Sequence, residues 1–300
     1  MDIINALPGS ISYGLIWGLM AIGVFITYKI LDFADLSVDG SICTGMAVCT
    51  ILVINGCNVL IAMLVAFLVG ALCGLLTGLF HTFMGIPPIL SGILTQLMLW
   101  SINLKILGGK ANVALPSRQF DVLISSTNNG GTIIVVVLFV AVIISLLFLF
   151  FKTEMGYAIR STGNNIDMSR TLGINTKFTK ILGLMISNGI VALAGSLLAQ
   201  YQGFADINSG RGAIVIGLAA LIIGEVLVKK FKGNMVISLL GIVLGGIIYY
   251  LVFNIIIILG FDTDLLKMLS ALLVGIFLAI PYWKNNYRKK RKKVILNAKN

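Results

Sequence analysis

Polar side chains with a repeated spacing stand next to two of the most apolar parts of the chain. The tetrapeptide FADL at 33–36 recurs as FADI at 204–207, and each copy is followed by a polar turn that contains glycine. Carboxylates, hydroxyls and amides beside a membrane segment can contact a solute on its way across, or they can cap the helix that follows. The candidate pathway residues in these turns and in neighbouring spans are Asp35, Ser37, Asp39, Gln96, Gln200, Asp206 and Asn208. The capping alternative stays open for the residues of the turns.

Residue types that would support catalysis or metal binding are scarce. The sequence contains no GxxxxGK[ST] phosphate loop, no HExxH motif and no GxSxG motif. His81 is the single histidine, which excludes a histidine-based metal site, and the four cysteines lack CxxC spacing. We expect those cysteines to be buried, free thiols that pack between helices. We therefore expect that the chain is not an enzyme and carries no metal or cofactor of its own.

The elements that must position the polar groups are membrane helices. Hydrophobic residues make up 58% of the 300 residues and charged residues only 11%, whereas soluble domains carry about 25% charged residues. The mean hydropathy is +1.04. Apolar runs recur near the length needed to cross a bilayer, so we predict an all-α polytopic membrane protein of about nine spans. The predicted spans are 10–28, 40–55, 59–80, 86–107, 131–151, 178–199, 213–228, 235–258 and 265–282.

Basic residues predict the orientation. The cluster KNNYRKKRKK at 284–293 follows the aromatic pair Tyr282-Trp283 at the end of the last span, a pattern typical of a cytoplasmic anchor. This explanation is favoured over a specific lipid or nucleic-acid site. Alternation of the spans then places most of the 22 Lys and Arg residues inside. The N-terminus is expected outside, without a cleavable signal, and the C-terminus in the cytoplasm.

The repeated tetrapeptide belongs to a longer internal repeat. The same offset places Gly18 on Gly189 and matches the first four spans to the last four. The partners are separated by an odd number of spans, so the halves, about 8–107 and 178–282, should have opposite orientations. Inverted repeats of this kind are typical of transporters. The short span after each tetrapeptide is expected to begin part-way into the membrane, against protein or a water-filled cavity.

The longest polar interval on the predicted cytoplasmic side runs from Lys152 to Lys180. Apolar residues recur at helical spacing in 155–160 and 167–172, and Gly173 indicates a helix end. We expect a short amphipathic helix along the membrane face, with a turn on each side, that contacts a soluble partner. A solvated loop that merely happens to be helical is the alternative.

Several segments resemble the permease subunits of bacterial ATP-binding-cassette importers of the branched-chain amino acid and ribose type. The likeness is strongest from Met155 to Glu225, including MGYAIRSTGNNIDMSRTLGINTKFTK and QYQGFADINSGRG, and covers about 14–281. FADLSVDGS at 33–41 is similar to the family's Asp-Leu-Ser-Val-Gly element, with Asp39 inserted before the glycine. Within the family, the chain looks closest to permeases encoded with a tryptophan- or tyrosine-type binding protein. The resemblance implies a vitamin-B12-importer-like (type II) fold, here without the first of the ten spans that many members have.

The resemblance also implies how the chain contacts its partners. The coupling helix that docks on the ATPase would lie at 163–173. The candidate coupling residues are Arg160, Gly163, Asn164, Met168, Arg170, Leu172, Gly173 and Ile174. The three apolar ones would insert into an ATPase groove, the arginines would form charge pairs at its rim, and the glycines would let the chain turn.

The implied assembly contains an ATPase subunit that binds ATP and Mg, an extracellular binding protein, which is expected to be a lipoprotein, and a second copy of this chain. The chain itself would contact membrane lipids and no nucleic acid. We divide it into a transmembrane permease domain at 1–283, with a coupling segment at 152–177, and a basic cytoplasmic tail at 284–300. Its expected location is the bacterial plasma membrane.

The sequence features bear on three possible functions. An importer permease for a small solute, an aromatic or branched-chain amino acid, explains the coupling segment, the inverted repeat and the missing catalytic motifs together. An ion-coupled secondary transporter also has inverted repeats, but it needs intramembrane carboxylates and does not explain the coupling segment. A membrane-embedded enzyme needs a carboxylate or histidine cluster, and the sequence offers none.

Overall fold

The computed structural model describes residues 3–228, 234–258, 268, 271–272, 274–276 and 279. The last predicted span, 265–282, lies mostly outside these residues, and the basic tail at 284–300 lies wholly outside them. The described part contains ten α-helices and two short strands. The helices are α1 (Ile3–Phe25), α2 (Val38–Ile54), α3 (Val59–Thr82), α4 (Pro88–Ile106), α5 (Asn129–Phe150), α6 (Glu154–Asn164), α7 (Ile166–Thr171), α8 (Thr176–Gln202), α9 (Ala213–Leu227) and α10 (Met235–Ile258). The strands are β1 (Asn112–Ala114) and β2 (Phe204–Asp206).

Six of the described helical segments are long and apolar enough to cross a membrane. They are Leu7–Ile30, which joins α1 to a π-helical turn at Ile26–Ile30, and α3, α4, α5, α8 and α10. The apolar helices α2 and α9 are shorter, with 17 and 15 residues. They measure about 25 Å and 22 Å, less than the roughly 30 Å of a bilayer's hydrocarbon. The chain is thus a helical, polytopic membrane protein, and its two short helices follow the two tetrapeptides, as the sequence predicted.

The centre of the helix bundle is formed by α1 and α8. Most of the apolar length of these two helices is buried within the chain, whereas α4 and α5 leave most of theirs exposed. α3 packs along α8, and α10 packs along α1. If residues 8–107 and 178–282 are repeats, α1 corresponds to α8 and α3 corresponds to α10. These two contacts would then be equivalent. The exposed apolar faces of the outer helices suit contact with lipid or with another membrane subunit.

Glycines allow the central helices to approach closely. A Cβ at Gly70 or Gly74 of α3 would overlap backbone atoms of α8. A Cβ at Gly14 of α1 would lie 2.5 Å from the Cα of Ile247 in α10. Without a hydrophobic driving force between helices in lipid, such small residues stabilise association by bringing the backbones into van der Waals contact.

A two-stranded antiparallel sheet departs from the expectation of a purely helical chain. β1 pairs with β2 in the register Val113↔Ala205, so the second tetrapeptide forms an edge of the sheet. The first tetrapeptide, at 33–36, has no strand partner in the described part of the chain. The sequence could not predict this pairing, because β1 belongs to the long loop after α4 and is distant in sequence from β2.

Candidate translocation pathway and coupling surface

The N-terminal ends of the two short helices meet through one carboxylate. Asp39 lies in the first turn of α2, and its oxygens accept hydrogen bonds from the backbone N–H groups of Gly212 (2.9 Å) and Ile214 (2.9 Å) at the start of α9. Gly212, with φ +87°, occupies the N-cap position of α9 and has no side chain with which to cap it. A negative charge is stabilising there because it meets the free N–H groups of the first turn. Asp39 therefore caps α9, the second of the two short helices.

Asp35 is buried in a polar cluster between the first tetrapeptide and α8. One carboxylate oxygen accepts from the backbone N–H of Ser37 at 2.9 Å and from its hydroxyl. The other accepts from Nδ2 of Asn188 at 2.7 Å, whose Oδ1 accepts from the Ser41 hydroxyl at 2.6 Å. Buried polar groups with partners of this kind hold a packed core together. Asp35 and the fully buried Ser37 thus connect the first tetrapeptide to α8.

The predicted pathway residues of the second half shape a turn and anchor a loop. The carboxylate of Asp206 accepts from the backbone N–H of Asn208 at 2.6 Å, and the Asn208 side chain is exposed. Gln200 is buried near the end of α8, and its Oε1 accepts from the backbone N–H of Leu123 at 3.0 Å. That bond ties the loop between β1 and α5 to the centre of the bundle.

A cleft of about 330 Å³ opens beside Asp39, and we call it the α4 cleft. Its walls come from α2, from one face of α4 and from the turn before α9. Gln96, Trp100 and Asn103 stand at i, i+4 and i+7 of α4, which places them on one helix face, and they line the cleft together with Arg211. Asp39 and Gln96 are the predicted pathway residues that meet here. The lining does not include Asp35, Ser37, Gln200, Asp206 or Asn208.

Three residues of the cleft, Trp100, Asn103 and Arg211, were not among the predicted pathway residues. Asn103 and Gln96 are two amides within one apolar span, and their spacing of two helical turns could have identified the shared face. The sequence around Arg211 contains no comparable spacing that would place it at the cleft. Its position depends on the contact between α2 and the start of α9, which are far apart in sequence.

Two helices, instead of the single one expected, form the segment between α5 and α8. Asn165 separates them and caps α7, because its Oδ1 accepts from the backbone N–H of Met168 at 3.0 Å. α7 is followed by Gly173, with φ +80°. The N–H of Ile174 donates to the carbonyl of Ser169 at 3.0 Å, which closes a Schellman motif. α7 is therefore a short, well-capped helix, and Gly173 provides the expected turn at its end.

Apolar side chains on α7 face away from the rest of the chain. Met168 is 60% exposed and Leu172 is 65% exposed. Ile174 was expected to be exposed with them, but it is half-buried. It lines a groove between α6 and the start of α8, together with Tyr157 and Phe178. We call Met168, Leu172 and this groove the coupling surface. Two exposed apolar side chains thus stand beside a groove that has an apolar lining.

Gly163 does not form the expected turn into α7. It lies in the last turn of α6 and is absent from the described glycines with positive φ. A Cβ at this position would overlap the carbonyl oxygen of Ile30. The neighbouring Thr162 shares a hydrogen bond with Thr179 of α8, with the two hydroxyl oxygens 2.9 Å apart. Gly163 thus lets α6 pack directly on the end of the first span, while Thr162 attaches it to α8.

The polar residues expected at the rim differ in their environment. Arg160 is half-buried, with its guanidinium 5.1 Å from the centre of the Phe151 ring and in contact with the sulfur of Met235. It packs α6 against neighbouring helices because its long side chain reaches over their apolar surface. Arg170 is exposed, 3.9 Å from Asp167. Asn164, also a predicted coupling residue, is exposed at the end of α6.

Comparison with known proteins identifies the family. The family described as branched-chain amino acid transport system / permease component matches residues 7–280. A tyrosine transport system permease protein of Clostridioides difficile (strain R20291) is 41% identical over 281 residues, 94% of this chain and 93% of that protein. An uncharacterized protein of Rickettsia prowazekii (strain Madrid E) is 30% identical over 277 residues, 92% of this chain and 97% of that protein. An autoinducer 2 import system permease protein of Salmonella typhi is 29% identical over 96 residues, 32% of this chain and 28% of that protein. No solved structure matches the chain significantly.

The family match spans nearly the whole chain and agrees with its apolar, multi-helix structure. It also agrees with the resemblance seen in the sequence. The chain therefore belongs to the family of permease components of branched-chain amino acid transport systems, and it is a multi-pass membrane protein.

Proposed function

We propose that this chain is the permease subunit of an ATP-binding-cassette importer, and that it takes up a small amino acid with an aromatic or branched-chain side chain. An extracellular binding protein delivers the solute, and a separate ATPase subunit binds ATP and Mg and drives transport. The relative from Clostridioides difficile, named for tyrosine transport, supports an aromatic substrate. The single structural observation that carries the proposal is the coupling surface.

The coupling surface has the properties that an ATPase contact requires. Met168 and Leu172 present apolar side chains outward from a helix that is capped at both ends. Fixing both ends of a short helix reduces the conformational freedom that docking would otherwise remove. Exposed Arg170 stands on the same helix, where it can steer a partner and fix its register.

The contacts of α6 supply a route from this surface to the membrane helices. Gly163 packs on the backbone at Ile30, and Thr162 bonds to α8 through Thr179. The tetrapeptide that follows the first span also contacts α8, through the hydrogen bond between Asp35 and Asn188. A rigid displacement of α6 and α7 would therefore act on both halves of the chain, as alternating access by inverted repeats requires.

The membrane topology belongs to the same proposal. The chain forms about nine spans in a type II permease fold, with repeat halves at about 8–107 and 178–282. The segment at 152–177 faces the cytoplasm, the N-terminus lies outside, and the basic tail at 284–300 lies inside. Eight described helices at the expected positions support this topology, and the distribution of basic residues supports the orientation.

An ion-coupled secondary transporter remains the second candidate because Asp35 is a buried carboxylate near the bundle centre. In such a transporter, an intramembrane carboxylate would bind the coupling ion. Here both oxygens of Asp35 already accept hydrogen bonds from Ser37 and Asn188. Those bonds favour a structural role. The exposed α7 would also have no function in a transporter without an ATPase.

The stoichiometry of the assembly tests the proposal. One chain contains a single coupling surface and can serve one ATPase subunit, whereas ATPases of this class act in pairs. We expect two copies of this chain with two ATPase subunits, related by a two-fold axis. Native mass spectrometry of the complex extracted in mild detergent measures this directly. A complex with one permease chain, or with a second and different permease chain, would contradict the homodimer.

A further inference from the structure

The α4 cleft contains groups that match the two charges of an amino acid. We propose that this cleft is a binding site for a zwitterionic amino acid, in which Arg211 binds the carboxylate, Asn103 accepts a hydrogen bond from the ammonium, and Trp100 contacts the side chain. The inference rests on the proposed function, because it concerns the solute that the permease passes. It adds the residues that recognise that solute.

Asn103 carries the strongest indication of a ligand. Its side chain is 1% exposed, and its Oδ1 is buried without a hydrogen-bond partner. The amide orientation is supported by Nδ2, which lies 3.4 Å from the carbonyl oxygen of Gly40. A buried acceptor without a donor is unfavourable by about 1–3 kcal/mol, and such groups in native proteins call for an explanation. A solute ammonium entering the cleft would supply the missing donor.

Arg211 provides the complementary charge. Its side chain is exposed and lines the cleft. Within the described ranges, the ion pairs join Lys29 to Glu225 and Arg170 to Asp167, and none involves Arg211. A guanidinium is the side chain best suited to a carboxylate, since its planar donors can bind both oxygens at once.

The other charge in the cleft does not compete for Arg211. Asp39 also lines it, but its oxygens accept the N–H groups of Gly212 and Ile214, and among the described residues it forms no ion pair with Arg211. Its negative charge is balanced there by the N-terminus of α9. Arg211 therefore remains available for an incoming carboxylate.

The size and apolar wall of the cleft restrict the solute. A volume of about 330 Å³ is at the small end of ligand sites, so it suits one small molecule. Trp100 is 41% exposed and lines the cleft beside Leu97. An indole face of this kind pairs favourably with an aromatic ring and also with aliphatic groups. The chemistry therefore fits an amino acid with an aromatic or branched aliphatic side chain.

Cysteine protection in the membrane-embedded full chain tests the site without an ATPase or a binding protein. Ser101 lines the cleft and is exposed, so Ser101→Cys reports access to it. Cys57, the exposed native cysteine of the described chain, is replaced by serine, and the Cys57→Ser chain alone provides the background. We expect L-tyrosine and L-leucine to slow modification by a methanethiosulfonate reagent. Tyramine lacks the carboxylate and 3-(4-hydroxyphenyl)propionate lacks the ammonium, so neither compound should slow this modification.

Variants of the two recognising residues sharpen the test. Arg211→Gln should weaken protection by L-tyrosine about tenfold or more, the loss expected when a charged hydrogen-bond partner is removed, while Arg211→Lys should retain part of it. Asn103→Leu should also abolish protection. Asn103→Ser keeps a hydrogen-bond acceptor without adding a charge to the buried position and should preserve part of the protection, so this second variant distinguishes recognition from misfolding. Thermal unfolding of each variant checks that the bundle is intact.

The outcomes separate this site from the importer proposal. Equal protection by tyramine and L-tyrosine would overturn the inference, as would unchanged protection in Arg211→Gln. Absence of protection in a chain that still supports ATP-driven uptake would overturn the site alone. Protection that depends on Arg211 in a chain that shows no ATP-driven uptake would support the site and contradict the importer proposal.

Discussion

Replacement of Leu172 by aspartate is expected to abolish both ATPase binding and solute uptake. Leu172 is 65% exposed at the C-cap of α7, and in the proposed assembly it becomes buried in the ATPase groove. A carboxylate at this position would lose its hydration without gaining a partner. The penalty is about 3 kcal/mol or more, which corresponds to a loss of affinity of about a hundredfold or more. Co-purification of the ATPase and uptake into cells measure the two effects.

The conservative variant Leu172→Met is the matched control. It keeps the apolar volume, and methionine adapts readily to an existing groove, so binding and uptake should stay near the wild-type level. The fold of Leu172→Asp itself should be unaffected, because the side chain is exposed in the isolated chain. If Leu172→Asp retains both its ATPase and its uptake, α7 is an ordinary surface helix.

Replacement of Gly163 by alanine is expected to separate ATPase binding from transport. The added Cβ would overlap the carbonyl oxygen of Ile30, so α6 must move away from the end of the first span. Overpacking of this kind is unfavourable by about 1–3 kcal/mol or more. Met168 and Leu172 remain exposed, so the ATPase should still bind. Uptake should fall at least about tenfold, the effect expected if the displaced contact transmits as little as 1.4 kcal/mol of coupling.

Gly173→Ala provides the comparison for Gly163→Ala. Gly173 also adjoins α7, but no atom lies within 4 Å of a Cβ built there. Its φ of +80° makes alanine unfavourable by about 1–2 kcal/mol, without a steric collision. A moderate effect on both binding and uptake is expected. Loss of ATPase binding in Gly163→Ala, or wild-type uptake by that variant, would contradict the proposed route through α6.

Hydropathy was sufficient to predict most of the helices, because each apolar run is a local property of the sequence. The runs at 40–55 and 213–228 correspond to α2 and α9 within two residues, and their polar, glycine-containing entries correctly indicated short helices. The turn at Gly173 was also predictable, since glycine is favoured where the chain needs positive φ. By contrast, the break between α6 and α7 depends on a cap by Asn165, and the spacing of the apolar residues did not reveal it.

The contacts between distant segments could not be predicted from local pattern. The sequence leaves open that Asp39 caps a helix, but the helix that it caps is α9 and not its own. Gly163 was assigned to a turn because glycine is common in turns, whereas its lack of a side chain serves helix packing. Arg211 lines the α4 cleft only because the turn before α9 packs beside α2 and α4, which are distant from it in the sequence. These features depend on contacts between segments that are distant in the sequence, and the spacing of residues along one chain does not reveal such contacts.

The most direct test of the importer proposal is uptake into proteoliposomes. The purified chain is reconstituted with its ATPase, the binding protein is added outside, and ATP is enclosed on the ATPase side. We expect uptake of L-tyrosine or another aromatic or branched-chain amino acid that requires hydrolysable ATP and the binding protein and is insensitive to ionophores. Uptake by the chain alone, driven by a sodium or proton gradient and unaffected by ATP, would contradict it.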